Sequence, residues 1–311
     1  MTDMVSRRGL LQAATALGIS TVAGGLDPAD ALAQEARGGG PAEYYNKQGQ
    51  VVSIAPGLQL GYRDDWLGEP WEKPEVMLMI HGNIESGVVW FGWVPRLGAE
   101  YRLLRPDLPG FGHSTIPANF EWKLPQVASV LAQFLDKMGV ESAHIIGAKT
   151  GGAIAVQFAA SYPQRTRTLV LATAPLSPVA IQANRPPAPA DPLDQSNRLG
   201  SAASKQEIDF YNKMMAATRP EPSNGLSKML VDGRNSKYLE SLLPQITSPT
   251  LVITSDRNAM VSVSEAHANT QKIPNSRLLV ITSDAYHIIL ANTAEVVTNV
   301  RAFIQGAHKS A

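Results

Sequence analysis

The sequence predicts an α/β protein: a doubly wound, mostly parallel sheet with an inserted helical cap. Short, continuous apolar runs are typical of strands that are covered on both faces. Helical stretches alternate with these runs, as in doubly wound folds. In the 311-residue chain, 44% of positions are hydrophobic and 17% are charged, which suits a large buried core and excludes a disordered chain. The predicted strands lie at 76–80, 101–105, 143–146, 168–172, 250–254 and 277–281.

Charge balance and residue counts exclude several classes of function. The chain has 27 Lys and Arg against 27 Asp and Glu, and no run of like charge indicates a nucleic-acid or anionic-membrane surface. It has no Cys, which excludes disulfides, thiolate nucleophiles and Cys-ligated zinc. The six His form no His-x-x-x-His pair, so the sequence supports no metal site. We therefore expect a small-molecule substrate, no nucleic-acid partner and no cofactor.

The first 33 residues predict a removable export signal. Residues 6–11 read Ser-Arg-Arg-Gly-Leu-Leu, a twin-arginine pattern, and residues 9–26 carry no charge. Ala31-Leu32-Ala33 then provides a small-x-small cleavage site before Gln34. Polar and Gly residues dilute the apolar run too far for a membrane anchor. These features predict recognition by the Tat export machinery, a periplasmic or secreted location, and no stable membrane insertion after cleavage.

The remaining chain divides into a leader, a core and a cap. Residues 34–50 are rich in Gly and Ala and indicate a flexible leader. The strand–helix alternation over 51–174 and 246–311 predicts the α/β core. It breaks over 175–245, where a Pro-rich patch at 186–189 precedes polar helical segments. We expect this stretch to form a cap over the strand ends.

Three strand ends carry the motifs that indicate function. In open α/β sheets, ligands bind beyond the carboxyl ends of the strands. His81-Gly82-Asn83 follows the first of these strands, and residues 107–114 (Asp-Leu-Pro-Gly-Phe-Gly-His-Ser) follow the second. Residues 147–151 (Gly-Ala-Lys-Thr-Gly) form a strand-to-helix turn after the third.

With these motifs in this order, residues 51–306 resemble the α/β-hydrolase superfamily. The most similar branch holds haloalkane dehalogenases, epoxide hydrolases, C–C bond hydrolases and enol-lactone hydrolases. The resemblance implies an α/β-hydrolase fold with an elbow of G-x-Nu-x-G form, which puts Lys149 where the family carries Ser, Asp or Cys. It also implies an oxyanion hole built from the backbone N–H groups of Asn83 and Thr150.

The same resemblance implies that His287, after the last strand, is the catalytic histidine. The family's late acid follows a Gly-x-x-Asp-x-x-Val pattern, and aligning Val261 places Asn258 at the Asp position with Asp256 two residues earlier. Asp256 is the favoured partner of His287, because a carboxylate stabilises the imidazolium that general-base catalysis creates. Asn258 would only orient the ring.

These residues predict an esterase, a lactonase or another hydrolase of a small carbonyl compound. In this hypothesis, His287 activates water and Lys149 stabilises an oxyanion or a substrate carboxylate. One alternative is a lyase or decarboxylase that uses a Lys149 Schiff base. Another is a non-catalytic ligand-binding protein in which Lys149 pairs with Glu85 or Asp256. Nearby acids would raise the pKa of Lys149 and favour the electrostatic role, whereas apolar walls would lower it.

Overall fold

The structure, a computed structural model, describes residues 49–177 and 194–308. The predicted signal at 1–33, nearly all of the leader and the Pro-rich patch of the cap lie outside the described residues. The described residues contain one eight-stranded sheet. Its strands are β1 (Gln50–Ala55), β2 (Leu58–Asp65), β3 (Glu75–Ile80), β4 (Tyr101–Pro106), β5 (Ala143–Ala148), β6 (Thr166–Ala172), β7 (Thr250–Ser255) and β8 (Ser276–Ile281).

The sheet has the strand order β1-β2-β4-β3-β5-β6-β7-β8. β1 pairs antiparallel with β2, and β2 pairs antiparallel with β4. The remaining neighbours, β4-β3-β5-β6-β7-β8, pair in parallel. These six strands are the six that the apolar runs predict. This topology confirms the predicted doubly wound, mostly parallel sheet.

Helices cover both faces of the sheet, which explains the continuous apolar runs. In β3, Leu78 and Ile80 belong to one buried cluster, whereas Met77 and Met79 belong to another. Side chains alternate between the faces of a strand, so both faces are buried. The helices are α1 (Val94–Leu97), α2 (Leu124–Lys137), α3 (Thr150–Ser161), α4 (Ser196–Leu199), α5 (Lys205–Ala216), α6 (Pro220–Asn235), α7 (Tyr238–Leu242), α8 (Val263–Thr270), α9 (Ile288–Ala291) and α10 (Thr293–His308).

The cap lies between β6 and β7. Its described part contains α4, α5, α6 and α7, in the stretch where the strand–helix alternation of the sequence breaks. α5 begins with a capping box, in which Ser204 and Glu207 satisfy each other's backbone N–H groups. Among the described residues, no helix is both long and apolar enough to cross a membrane.

Candidate active site

Lys149 occupies a sharp turn between β5 and α3. Its backbone has φ 53° and ψ −126°, a positive φ that is uncommon for a residue with a side chain. The turn is tight because a Cβ on Gly151 would lie 2.4 Å from the carbonyl oxygen of His81. A Cβ on Gly147 would lie 2.7 Å from the carbonyl oxygen of Gly151. The two glycines therefore permit the elbow that holds Lys149 at the carboxyl end of the parallel strands.

Four buried polar side chains meet at this elbow, and we call them the Glu85 cluster: Glu85, Lys149, Tyr211 and His287. The Lys149 ammonium forms an ion pair with Glu85 Oε1 and donates to the Tyr211 hydroxyl at 2.8 Å. The Tyr211 hydroxyl donates to the same Glu85 oxygen at 2.8 Å. His287 Nε2 lies 3.0 Å from that oxygen. None of the four residues is more than 3% exposed.

Separate elements of the fold supply the members of the Glu85 cluster. Glu85 lies in the loop after β3, where its Oε2 accepts the backbone N–H of Gly82 at 3.0 Å. Tyr211 comes from α5 of the cap. His287 immediately precedes α9 and donates its backbone N–H to the carbonyl of Arg198 in the cap at 2.7 Å. The cluster therefore joins core and cap.

Burial and mutual charge set the ionisation of the cluster. Burial opposes ionisation of Glu85, but His287 and Lys149 outweigh it and hold the Glu85 pKa well below its ordinary value. Burial lowers the pKa of Lys149 against the attraction of Glu85, and it lowers the pKa of His287 in the same way. Burial and the Glu85 charge raise the pKa of Tyr211 well above its ordinary value. At neutral pH, Glu85 is therefore ionised, His287 is neutral and Tyr211 keeps its proton.

The carboxylate beside His287 is Glu85, and the expected partners of this histidine are engaged elsewhere. Exposed Asp256 accepts the backbone N–H of Ser283 at 2.9 Å. Asn258 Oδ1 accepts two backbone N–H groups of its own turn, and Asn258 Nδ2 donates to Ser255 Oγ and to the Ala285 carbonyl. Neither Nδ1 nor Nε2 of His287 has a hydrogen-bond partner within the described part of the chain, so Nε2 meets Glu85 at ion-pair distance only. Glu85 therefore stands beside His287 in place of the expected Asp256 or Asn258, because Asp256 binds the Ser283 backbone and turn formation uses both the oxygen and the nitrogen of the Asn258 amide.

The structure does not leave both predicted oxyanion-hole donors free. The backbone N–H of Asn83 donates to Thr150 Oγ1 at 2.6 Å. The Asn83 side chain donates to Ser227 Oγ at 2.7 Å and to the Ser223 carbonyl at 3.2 Å, both on α6 of the cap. The Thr150 N–H belongs to the first turn of α3, where helical N–H groups have no intrahelical acceptor. A ligand oxygen would therefore have to displace Thr150 Oγ1 to use both donors.

Sequence reasoning missed Tyr211 and the contact between Glu85 and His287. Tyr211 belongs to a polar cap helix without a recognisable motif, 126 residues from Glu85. Glu85 itself is one of the two acids that the sequence places beside Lys149, and the structure shows that ion pair, but the sequence does not indicate Glu85 as the partner of His287. The cluster offers a metal one carboxylate and one imidazole beside a lysine, which is a poor donor set for a metal ion.

One protein family matches the chain over the central part of the fold. A family model described as the alpha/beta hydrolase fold matches residues 75–234. The match begins at β3 and includes the His-Gly-Asn segment, the elbow and most of the cap. It covers about half of the chain.

Individual relatives match the central part of the chain. A pimeloyl-[acyl-carrier protein] methyl ester esterase of Aeromonas hydrophila is 38% identical over 94 residues, 30% of this chain and 35% of the relative. A 2-hydroxymuconate semialdehyde hydrolase of Pseudomonas sp. is 32% identical over 121 residues, 38% of this chain and 41% of the relative. The chain thus spans less than half the length of these two curated relatives.

A solved structure matches over most of the described fold. The enol-lactonase from Burkholderia xenovorans LB400 superposes with a TM-score of 0.68 and 18% identity, covering 82% of this chain and all of the other. At this identity, the likeness concerns the fold.

Proposed function

The chain belongs to the α/β-hydrolase fold family, and from that premise we propose that it hydrolyses a small ester or a related carbonyl compound. The observation that carries the proposal is that one buried oxygen of Glu85 contacts Lys149, Tyr211 and His287 together. The esterase and the semialdehyde hydrolase among its relatives support this class of substrate. Lys149 stands at the elbow position where the family carries its nucleophile, so in the proposed reaction water is the nucleophile.

In the proposed reaction, His287 is the general base. A carboxylate beside one imidazole nitrogen stabilises the imidazolium that forms when the other nitrogen takes a proton. Neither ring nitrogen makes a hydrogen bond of standard geometry within the described residues, but Nε2 lies 3.0 Å from Glu85 Oε1, which leaves Nδ1 as the nitrogen that takes the proton. His287 takes a proton from water, the resulting hydroxide attacks the substrate carbonyl, and the imidazolium returns the proton to the leaving alkoxide.

Lys149 supplies positive charge to the reacting oxygen. An ammonium held at the elbow stabilises the oxyanion of the tetrahedral intermediate or binds a substrate carboxylate. Attack by Lys149 on an ester would require loss of its proton, and ionised Glu85 is a weak acceptor because its pKa is held so low. The product of that attack would be an amide, which is too stable to turn over. The electrostatic role therefore fits the cluster better.

A Schiff-base lyase is the second candidate, and one observation favours it. Burial lowers the pKa of Lys149, which makes its neutral amine more available for attack on a ketone or an aldehyde. The amine would add to the carbonyl, and loss of water would give an imine that acts as an electron sink for C–C cleavage or decarboxylation. Borohydride reduces such an imine to a stable adduct, so this candidate can be tested in the same experiment.

The test compares wild type with Lys149→Ala and His287→Ala on small esters, lactones and β-diketones. We expect His287→Ala to lower kcat/KM by about 100-fold to 10,000-fold, and Lys149→Ala to lower it by about 100-fold to 1,000-fold. The exposed His267 and Lys205 provide the matched controls His267→Ala and Lys205→Ala, which should retain wild-type kinetics. Each sample is also treated with borohydride and its intact mass is measured.

The other outcomes separate the alternatives. An adduct that disappears in Lys149→Ala establishes imine chemistry and overturns activated-water hydrolysis. Ligand-dependent thermal stabilisation without turnover indicates a binding protein, because a ligand of the native state raises the melting temperature. Turnover that survives His287→Ala unchanged contradicts the role given to this residue.

The pH profile follows from the shifted pKa values. His287 must be neutral to act as a base, and burial places its pKa below 6.5, so kcat/KM should fall only at pH values below 6.5. Lys149 must be protonated, and burial places its pKa below 10.5, so activity should also fall on the alkaline side before pH 10.5. The measurement is kcat/KM between about pH 5 and pH 11. In Lys149→Arg, any remaining activity should lose its alkaline limb, because the guanidinium does not titrate in this range.

A further inference from the structure

A second cluster of polar side chains lies at the amino-terminal edge of the parallel strands, away from the elbow. Glu75 is the first residue of β3, His144 is the second residue of β5, and His308 ends α10. β3 and β5 pair in parallel, so their starts lie side by side, whereas Lys149 follows the carboxyl end of β5. We propose that Glu75, His144 and His308 bind a zinc ion.

The three side chains converge with their donor atoms facing one another. Glu75 Oε2 lies 3.3 Å from His144 Nε2 and 3.1 Å from His308 Nε2. All three donor atoms lie within 4.8 Å of one another. In a tetrahedral zinc site with bonds of about 2.0–2.1 Å, neighbouring ligand atoms are about 3.3 Å apart. The two oxygen–nitrogen distances are therefore already near the separation that zinc requires, and the two nitrogens lie within 4.8 Å of each other.

Neighbouring residues orient two of the three ligands. His144 Nδ1 lies 2.9 Å from Thr168 Oγ1, which leaves Nε2 directed towards Glu75. The Arg167 guanidinium pairs with Glu75 Oε1, so Oε2 faces the imidazoles. Such outer contacts fix the tautomer and the ring orientation of metal ligands. The positive charge of Arg167 weakens the attraction for a cation but does not block Oε2.

The chemistry and the exposure of the cluster favour zinc. Two imidazoles and one carboxylate form a common zinc donor set, and a water molecule can supply the fourth ligand. His144 is fully buried, whereas the His308 side chain is 42% exposed, so a metal ion can enter from solvent on the side of α10. A bound ion would hold the end of α10 to the starts of β3 and β5. This role is independent of the proposed hydrolysis.

The experiment uses the full-length chain without an affinity tag, treated with a chelator and then titrated with zinc chloride by calorimetry. We expect one zinc ion per chain and binding weaker by more than about tenfold in His308→Ala and in Glu75→Gln, because even outer-shell changes cost this much. His267→Ala removes an exposed histidine of α8 and should bind zinc like wild type. His308 is exposed at a helix end, so its replacement leaves the fold intact.

A second readout reports the geometry of the site. Cobalt(II) should give the visible absorption of tetrahedral coordination in wild type and in His267→Ala, but not in His308→Ala. Zinc should raise the melting temperature of the same two proteins only. The proposal is overturned if wild type binds no zinc, or if His308→Ala and Glu75→Gln bind it as tightly as wild type.

Discussion

Glu85→Gln should lower the free energy of unfolding by about 3–5 kcal/mol, the usual cost of breaking a buried ion pair by removing one partner. The substitution keeps the shape of the side chain but leaves the Lys149 ammonium buried without its counter-charge. It also removes the carboxylate beside His287, so activity should fall together with stability. Urea-induced unfolding monitored by circular dichroism measures the first effect.

Two further variants make this prediction specific to the buried pair. Glu240 and Lys272 form an ion pair of 2.7 Å in which both side chains are about one-third exposed. Glu240→Gln should therefore cost no more than about 1 kcal/mol. Combining Glu85→Gln with Lys149→Met removes both charges and should restore part of the lost stability. A cost for Glu85→Gln no larger than that for Glu240→Gln would show that the buried pair does not stabilise the fold.

The stabilisation by Glu85 also has a defined pH dependence. Its pKa is lowered in the folded chain from an ordinary value of 4.5. The contribution is therefore complete above that value and is lost as the pH falls through the lower, folded-state pKa. In Glu85→Gln, this part of the acid dependence should be absent.

Gly151→Ala should destabilise the protein by at least about 1–3 kcal/mol, the cost of overpacking a close-packed site. The added Cβ would lie 2.4 Å from the His81 carbonyl oxygen and 2.5 Å from that of Ile80. Both obstacles are backbone atoms at the end of β3, so either the strand or the start of α3 must move. That movement displaces Lys149, and we expect the hydrolytic rate to fall even in the fraction that remains folded.

The matched control is Gly306→Ala in α10. A Cβ at Gly306 meets no atom within 4 Å, and alanine is favoured over glycine inside a helix by about 0.5–1 kcal/mol. Gly306→Ala should therefore leave the stability unchanged or raise it slightly. Thermal and urea unfolding of both variants check the pair. Equal, small effects at the two positions would contradict the tight elbow.

The sequence predicts the parallel part of the sheet because burial on both faces gives continuous apolar runs. β1 escapes prediction because it lies at the exposed edge, where its residues are largely accessible to solvent. β2 escapes prediction because polar residues interrupt its buried positions, so it contains no continuous apolar run. The motifs lead to Lys149 and His287 because they follow strand ends in a familiar order. They do not reveal Tyr211, whose role depends on how a cap helix packs against a loop far away in the chain.

The sequence motifs likewise do not reveal the cluster of Glu75, His144 and His308. A search for local His-x-x-x-His spacing finds metal ligands that share one helix. These three residues come from two strands and a helix that are distant in sequence. Their proximity follows from strand pairing and from the position at which α10 ends, neither of which a spacing rule contains.

The Tyr211 hydroxyl reaches the elbow from the cap, and this limits how freely the two parts of the protein can be recombined. A chimera that keeps the core but takes the cap of another family member would retain the Glu85–Lys149 ion pair. A cap without a tyrosine at the position of Tyr211 would remove the hydroxyl that bridges that pair, and a cap whose backbone follows another path at Arg198 would remove the carbonyl that holds the backbone of His287. In this protein, exchanging the cap would therefore alter the charged centre whenever the new cap lacks either group.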